Sequence, residues 1–243
     1  MNDYTKKARV YPAIIALYVP MFLTVLYLSR QIKIIQEWNV LCTIGSSLIS
    51  SAIVSAAFGY FCWQICRSIS KSMFQYPMFR EDETYMPTTN YLLWANKTYH
   101  EEEKSIIHQK IYDHYRIKLC SKRREAADEF SARKLIAGAV RQMREDTRDD
   151  PILLGYNVDF GFWRNLMGGC VIGELMIIVI CGFSYVAPSI PEGWLVFGLC
   201  TEALAFFVGL YFLKQAGRSY ARQLISAFLS LRGGDELGAE IRP

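Results

Sequence analysis

The amino-acid sequence predicts an all-α membrane protein: two transmembrane helical hairpins, four spans in all, flanking a helical cytoplasmic insertion. Three observations predict it. Four apolar runs, Val10–Leu28, Val40–Cys62, Leu166–Ala187 and Leu195–Leu213, are each long enough to cross a bilayer core, which takes ~20 residues of helix. They stand two and two around a stretch, Gln64–Asn165, rich in Lys, Arg, Asp and Glu. The cations flanking the runs gather on one side. Lys6, Lys7 and Arg9 precede the first, Arg67 and Lys71 follow the second, Arg164 precedes the third, and Lys214, Arg218 and Arg222 follow the fourth. Such residues stay in the cytoplasm, so both termini and the central insertion are expected there. The expected location is a bacterial inner (plasma) membrane. The parts are 1–63 (N-terminal transmembrane hairpin), 64–165 (cytoplasmic helical domain), 166–213 (C-terminal transmembrane hairpin) and 214–243 (amphipathic helix and tail).

Composition fits this division. Of 243 residues, 52% are hydrophobic, and the net charge of +4 is too small to imply nucleic-acid binding by itself. Seven cysteines form no CxxC and no Cys/His pattern at metal spacing, and six lie in or beside the apolar runs, where Cys behaves as a small hydrophobe.

The first run has a cationic start, but Leu28-Ser29-Arg30-Gln31 is no small-residue cleavage site, so it reads as a span rather than a leader. Pro20 is expected to kink it. The connections Ser29–Asn39 and Pro188–Trp194 are short, so each closes an antiparallel hairpin on the outer side. Within the insertion, Ser68–Asn96 looks loop-like, with Pro77, Pro87 and the acidic triplet Glu81-Asp82-Glu83. Ser105–Ile117 carries Ile107, Ile111 and Tyr115 at helical spacing. Lys122–Arg148 reads as one further helix with the stripe Ala132, Ile136, Ala139, Val140 and Met143. Asp149-Asp150-Pro151 ends it, and Gly155–Asn165 leads into the third span. Ala216–Leu231 reads as a separate amphipathic helix that lies in the interface or packs on the insertion.

Several features carry candidate chemistry. In the second span Ser47, Ser51, Ser55 and Gly59 recur every four residues and share a face. That stripe is either a close-packing seam or the lining of a water-filled path through an oligomer. Glu174 and Glu202 are intramembrane carboxylates. A charge at mid-bilayer costs at least ~2.5 kcal/mol, so such groups face a cavity, a pore or a partner. They are either protonated and bonded to the serines or part of an ion path. Gly169 and Gly173 form a GxxxG, a packing motif that names no partner.

Arg133, Arg141, Arg144 and Arg148 fall near one helical face, either a solvated salt-bridged surface or a site for a nucleotide, an oligonucleotide or a lipid headgroup. The connector Asn157–Asn165 holds Asp159, Trp163 and Arg164, which read as a membrane anchor or as a coupling element between the insertion and the third span. His100, His108 and His114 are not at metal-ligand spacing. No GxSxG, HExxH, Walker loop or GxGxxG occurs, so the chain is not expected to be an enzyme, and no cofactor or metal is expected.

Two hairpins around a helical insertion, with Arg141–Asp150 (RQMREDTRDD) and Asn157–Asn165 (NVDFGFWRN) between them, resemble the small four-span membrane effectors of bacterial antiphage defence, specifically the Hailong-type transmembrane effectors. The resemblance lies in the architecture, so it transfers no ligand-binding residue. It implies a homotetrameric ion channel held closed by a DNA oligomer that a partner nucleotidyltransferase makes, and opened during infection. The expected function is therefore an oligomeric, ligand-gated, pore-forming protein of antiviral defence. The alternative is a membrane-anchored binding or scaffold protein without a pore.

Overall fold

A computed structural model of the chain describes residues 3–34, 52–79 and 84–231; for 32–34, 52–58 and 78–79 the description is of the backbone alone. The described residues are helical, without a strand. The longer helices are α1 (Tyr11–Ile34), α2 (Ala52–Ser70), α3 (Pro87–Leu92), α4 (Glu101–Tyr115), α5 (Lys122–Ala127), α6 (Glu129–Asp146), α7 (Pro151–Val186) and α8 (Glu192–Ser230). Three stretches, Asp3–Gln31, Pro151–Val186 and Glu192–Ser230, are long and apolar enough to cross a membrane. This is a membrane protein. Of the second predicted span, residues 40–51 lie outside the described residues and the remainder belongs to α2.

The chain divides into two compact units: Met1–Phe74 with Gly161–Leu213, and Gln75–Phe160 with Lys214–Pro243. In the first unit, α7 is the helix about which the others are arranged, and small residues are the reason. Asn165 Nδ2 donates to the Ala8 carbonyl at 2.6 Å, and a Cβ on Gly161 would meet the Ala8 Cβ at 3.0 Å. A Cβ on Gly169 would meet the Ala16 Cβ at 2.5 Å, and one on Gly173 the Pro20 Cγ at 2.8 Å. Farther along, Gln31 Nε2 donates to the Ala187 carbonyl at 3.4 Å and to Ser189 Oγ at 2.7 Å. These contacts advance in the same order along both helices, so α1 and α7 run parallel. The order reverses for α2. A Cβ on Gly168 would collide with the Cys66 carbonyl, and Ser70 Oγ donates to the Arg164 carbonyl. It reverses again for α8, where Gly209 faces Met167 and Gly198 faces Ile177. The GxxxG of Gly169 and Gly173 thus finds its partner in α1, where close backbone approach yields dispersion contact that lipid tails cannot match.

Pro20 sits inside α1, and Thr24 Oγ1 donates to its carbonyl at 2.8 Å. Outward-facing apolar side chains such as Ile14, Val25, Leu175, Val179 and Phe207 are exposed, the arrangement expected of helices solvated by lipid.

The second unit is a packed aqueous-type core. Leu92, Ile107, Ile111, Ile136, Ala139, Met143, Leu224 and Phe228 bury one another between α3, α4, α6 and the end of α8. Polar ties fix the irregular chain beside it. Glu125 accepts the N–H groups of Trp94 (3.0 Å) and Ala95 (2.9 Å), and Trp94 Nε1 donates to the Cys120 carbonyl (2.8 Å). Buried Lys104 donates to the carbonyls of Trp94 and Asn96.

Four expectations are corrected. The loop expected over Ser68–Asn96 contains helix: α2 runs to Ser70, a π-helical turn follows at Lys71–Gln75, and α3 begins at Pro87, where a missing N–H costs nothing. The single helix Lys122–Arg148 is two. Asp128 leaves helical geometry and its side chain accepts the Ser131 N–H at 3.0 Å, so a polar residue placed mid-helix serves as the N-cap of α6. Gly155–Asn165 is no separate lead-in but the interior of α7, started by Asp150, whose Oδ1 accepts the N–H groups of Ile152 (2.8 Å) and Leu153 (2.9 Å). Ala216–Leu231 is likewise no separate helix: it is the last part of α8, and its apolar face packs on the insertion core rather than lying free.

Candidate functional site

Glu202 is the polar group whose position is hardest to explain by packing alone. It lies in a helix long and apolar enough to cross a membrane, only 3% exposed, and its Oε2 is buried with no hydrogen-bond partner among the described residues. The space it occupies exists because residue 173 is glycine: a Cβ there would stand 3.0 Å from Glu202 Cδ. The Cys170 thiol, one turn earlier on α7, hydrogen-bonds the Glu202 carboxylate. Glu174, half-buried beside Gly173, also has a buried Oε2 without a partner, and it lies within electrostatic reach of Glu202. Two carboxylates, a thiol and the Pro20 region of α1 therefore converge at one level of the membrane helices. A carboxylate in hydrocarbon is stable only if it is protonated, hydrated or paired with a cation, so this cluster can hold or pass a proton.

Ser47 and Ser51 of the expected serine stripe lie outside the described residues. Ser55 belongs to α2, described there as backbone alone. Of the expected coupling residues, Trp163 stacks on Phe212 with ring centres 4.6 Å apart and planes at 17°. Arg164 is buried and its carbonyl receives the Ser70 hydroxyl. Asp159 is exposed.

The four arginines expected as one ligand face separate into two pairs. Arg133 is buried: it donates to Glu129 Oε1 at 2.7 Å, to the Thr84 carbonyl at 3.1 Å and to Asn90 Oδ1, and its guanidinium lies over the Tyr85 ring at 4.3 Å. Arg144 is half-buried and approaches Thr88 Oγ1 at 3.4 Å. Arg141 and Arg148 are exposed. Arg133 and Arg144 thus hold the start of α3 on α6, which only the tertiary contacts reveal.

A different group of cations does share a cavity. A pocket of about 780 Å³ within the second unit is lined by Lys214, Arg218, Arg222 and Arg133, with Tyr85, Tyr91, Asn96 and Thr98 around it. Lys214, Arg218 and Arg222 were legible as cations after the fourth span, and their four-residue spacing is the signal that they share a face. What faced them was not legible. Cys170 was read as a packing residue, and its bond to Glu202 depends on two helices far apart in sequence.

The histidines are structural. His100 starts α4, its N–H bonded to Glu103 at 2.8 Å; His108 Nε2 bonds the Leu92 carbonyl at 2.8 Å; His114 meets Asp146 at 3.1 Å. Among the described residues no cluster of His, Cys, Asp and Glu could hold a metal ion.

No protein-family model, no curated protein and no solved structure matches this chain.

Proposed function

We propose that the protein is an oligomeric membrane pore whose opening is governed by a ligand or partner at its polar unit. The observation that carries the reading is Glu202: an almost wholly buried carboxylate in a membrane helix, one oxygen without a partner among the described residues, close to a second carboxylate. A helix seam needs no such group, and retaining it in lipid is costly. One copy has too few helices to enclose a wide path, so the pore is formed between copies of the chain, with Glu202, Glu174 and the serine stripe of the second span along it.

The same proposal has four spans in two hairpins. The antiparallel contacts of α2 and α8 with α7, and the parallel run of α1, support that arrangement. In this reading the termini and the polar unit are cytoplasmic and the membrane is an inner one; the excess of Lys and Arg at one set of span ends supports the cytoplasmic side. The resemblance to Hailong-type effectors extends the reading to a tetramer that depolarises the membrane in antiphage defence, with a DNA oligomer from a partner nucleotidyltransferase as its gating ligand.

The test is membrane potential on induced expression of the full chain, read with a voltage-sensitive dye beside E174Q and E202Q. Depolarisation by the wild type, reduced in E202Q at equal membrane abundance, is the expected result. Equal depolarisation by both removes the carboxylate from the path. A normal potential together with no ion flux in proteoliposomes overturns the pore and leaves the membrane-anchored binding protein.

A further inference from the structure

We infer that the pocket lined by Lys214, Arg218, Arg222 and Arg133 binds a ligand carrying clustered phosphate groups. The inference deepens the gating half of the proposed function by naming the chemistry of the ligand, and it does not require the membrane helices to conduct.

The charge balance carries it. Among the described residues, five charged side chains line the pocket, four cations and Glu129. Glu129 is already committed to Arg133, which it meets at 2.7 Å. The other three cations have no ion-pair partner among the described residues. They occupy positions i, i+4 and i+8 of one helix, so they project from one face with successive Cα atoms ~6 Å apart along the axis. Like charges at that spacing destabilise a helix. Other exposed cations of the unit, such as Arg123 and Arg124, also lack an ion pair among the described residues, but they do not share this pocket. What singles out the row on α8 is that its three cations and Arg133 face one cavity.

The pocket also has the shape and lining for a phosphorylated molecule. Its volume of about 780 Å³ lies within the ~300–1,000 Å³ of small-ligand sites and exceeds what one phosphate fills. Two guanidinium forks present paired N–H donors that match phosphate oxygens, and Lys214 adds a point charge. Asn96 and Thr98 bring further polar groups to the rim, and Tyr85 and Tyr91 bring flat apolar surface for the remainder of the ligand. With Glu129 held by Arg133, no free carboxylate lines the pocket among the described residues.

Clustered phosphate has two sources: a soluble phosphorylated metabolite, or the headgroup of an anionic phospholipid, since Lys214 directly follows the apolar run of α8. The experiment separates them. The full chain in an uncharged detergent and phosphate-free buffer is titrated calorimetrically with inorganic pyrophosphate. In parallel, phospholipid retained from nanodiscs of phosphatidylcholine with and without cardiolipin, whose headgroup carries two phosphates, is measured by native mass spectrometry. Each arm includes R218Q/R222Q and the control R141Q/R148Q, whose arginines are exposed outside the pocket.

Saturable pyrophosphate binding that weakens at least tenfold in R218Q/R222Q and not in the control assigns the pocket to a soluble ligand. Retained cardiolipin that R218Q/R222Q loses, without pyrophosphate binding, assigns it to a headgroup. Binding of neither probe, or binding that the two double variants weaken equally, overturns the inference. None of these readouts involves ion flow, so a failure here and a failure of the pore reading are told apart.

Discussion

Gly169 and Ala16 stand so close that a Cβ on the glycine would lie 2.5 Å from the alanine's. Two helices from opposite ends of the chain meet there with nothing between their backbones. Such contact gains dispersion energy at every atom in reach, and it leaves no room for growth. Gly169→Leu is expected to destabilise the membrane helices by about 1–3 kcal/mol, the usual cost of overpacking. Thermal unfolding in detergent measures it, with Gly182→Ala, where a Cβ meets nothing within 4 Å, as the control that leaves the midpoint unchanged.

Glu125 is buried and holds two backbone N–H groups of the segment that follows α3. Glu125→Ala leaves both donors without a partner and removes the carboxylate nearest in effect to buried Lys104. Each orphaned donor costs about 1–3 kcal/mol. The expected result is loss of the cooperative unfolding of the second unit, seen as early hydrogen exchange over Leu92–Asn96, while Glu129→Gln at the start of α6, where the side chain is more exposed, perturbs the segment less.

His108 gives the second unit a pH dependence. Burial pushes the imidazole below its ordinary value, and its bond to the Leu92 carbonyl offsets this only in part. A depressed histidine means that the unfolded chain binds the proton more readily than the folded one. The stabilising contribution is therefore fully present above ~6.5, the unfolded value, and is lost as pH falls toward the lower folded value. The melting midpoint is expected to drop between pH 7.5 and 5.5, and to drop less in His108→Gln. Equal slopes would assign the effect to other groups.

Asp150 starts α7 by accepting two N–H groups at 2.8 and 2.9 Å. Asp150→Ala is expected to cost about 1 kcal/mol, and Asp150→Asn about half of that or less, because the amide oxygen still accepts. Chemical unfolding followed by circular dichroism distinguishes them. Identical losses in both variants would show that charge at the helix start, rather than the acceptor, is what matters.

The sequence by itself determined that this is a helical membrane protein, and for a definite reason. Runs such as Leu166–Ala187 are stable in a bilayer whatever they pack against, because hydropathy and length act through the solvent and not through neighbours. It also marked Glu174 and Glu202, since a carboxylate in an apolar run is anomalous without any structure. Local chemistry that depends on context was less legible: Asp128 as a cap within a helical pattern, or α3 in a stretch punctuated by prolines, read as something else. Only the tertiary structure decided what each marked residue faces. It brought Cys170 and Gly173 to Glu202, and Ala16 to Gly169. It drew Arg133 inward to Glu129 and Tyr85 while leaving Lys214, Arg218 and Arg222 to line a pocket together. Helical spacing alone encodes the pairing of Arg133 with Glu129 and the shared face of Lys214, Arg218 and Arg222; the other outcomes rest on pairings between residues from about thirty to about 150 positions apart, which no spacing within one helix encodes.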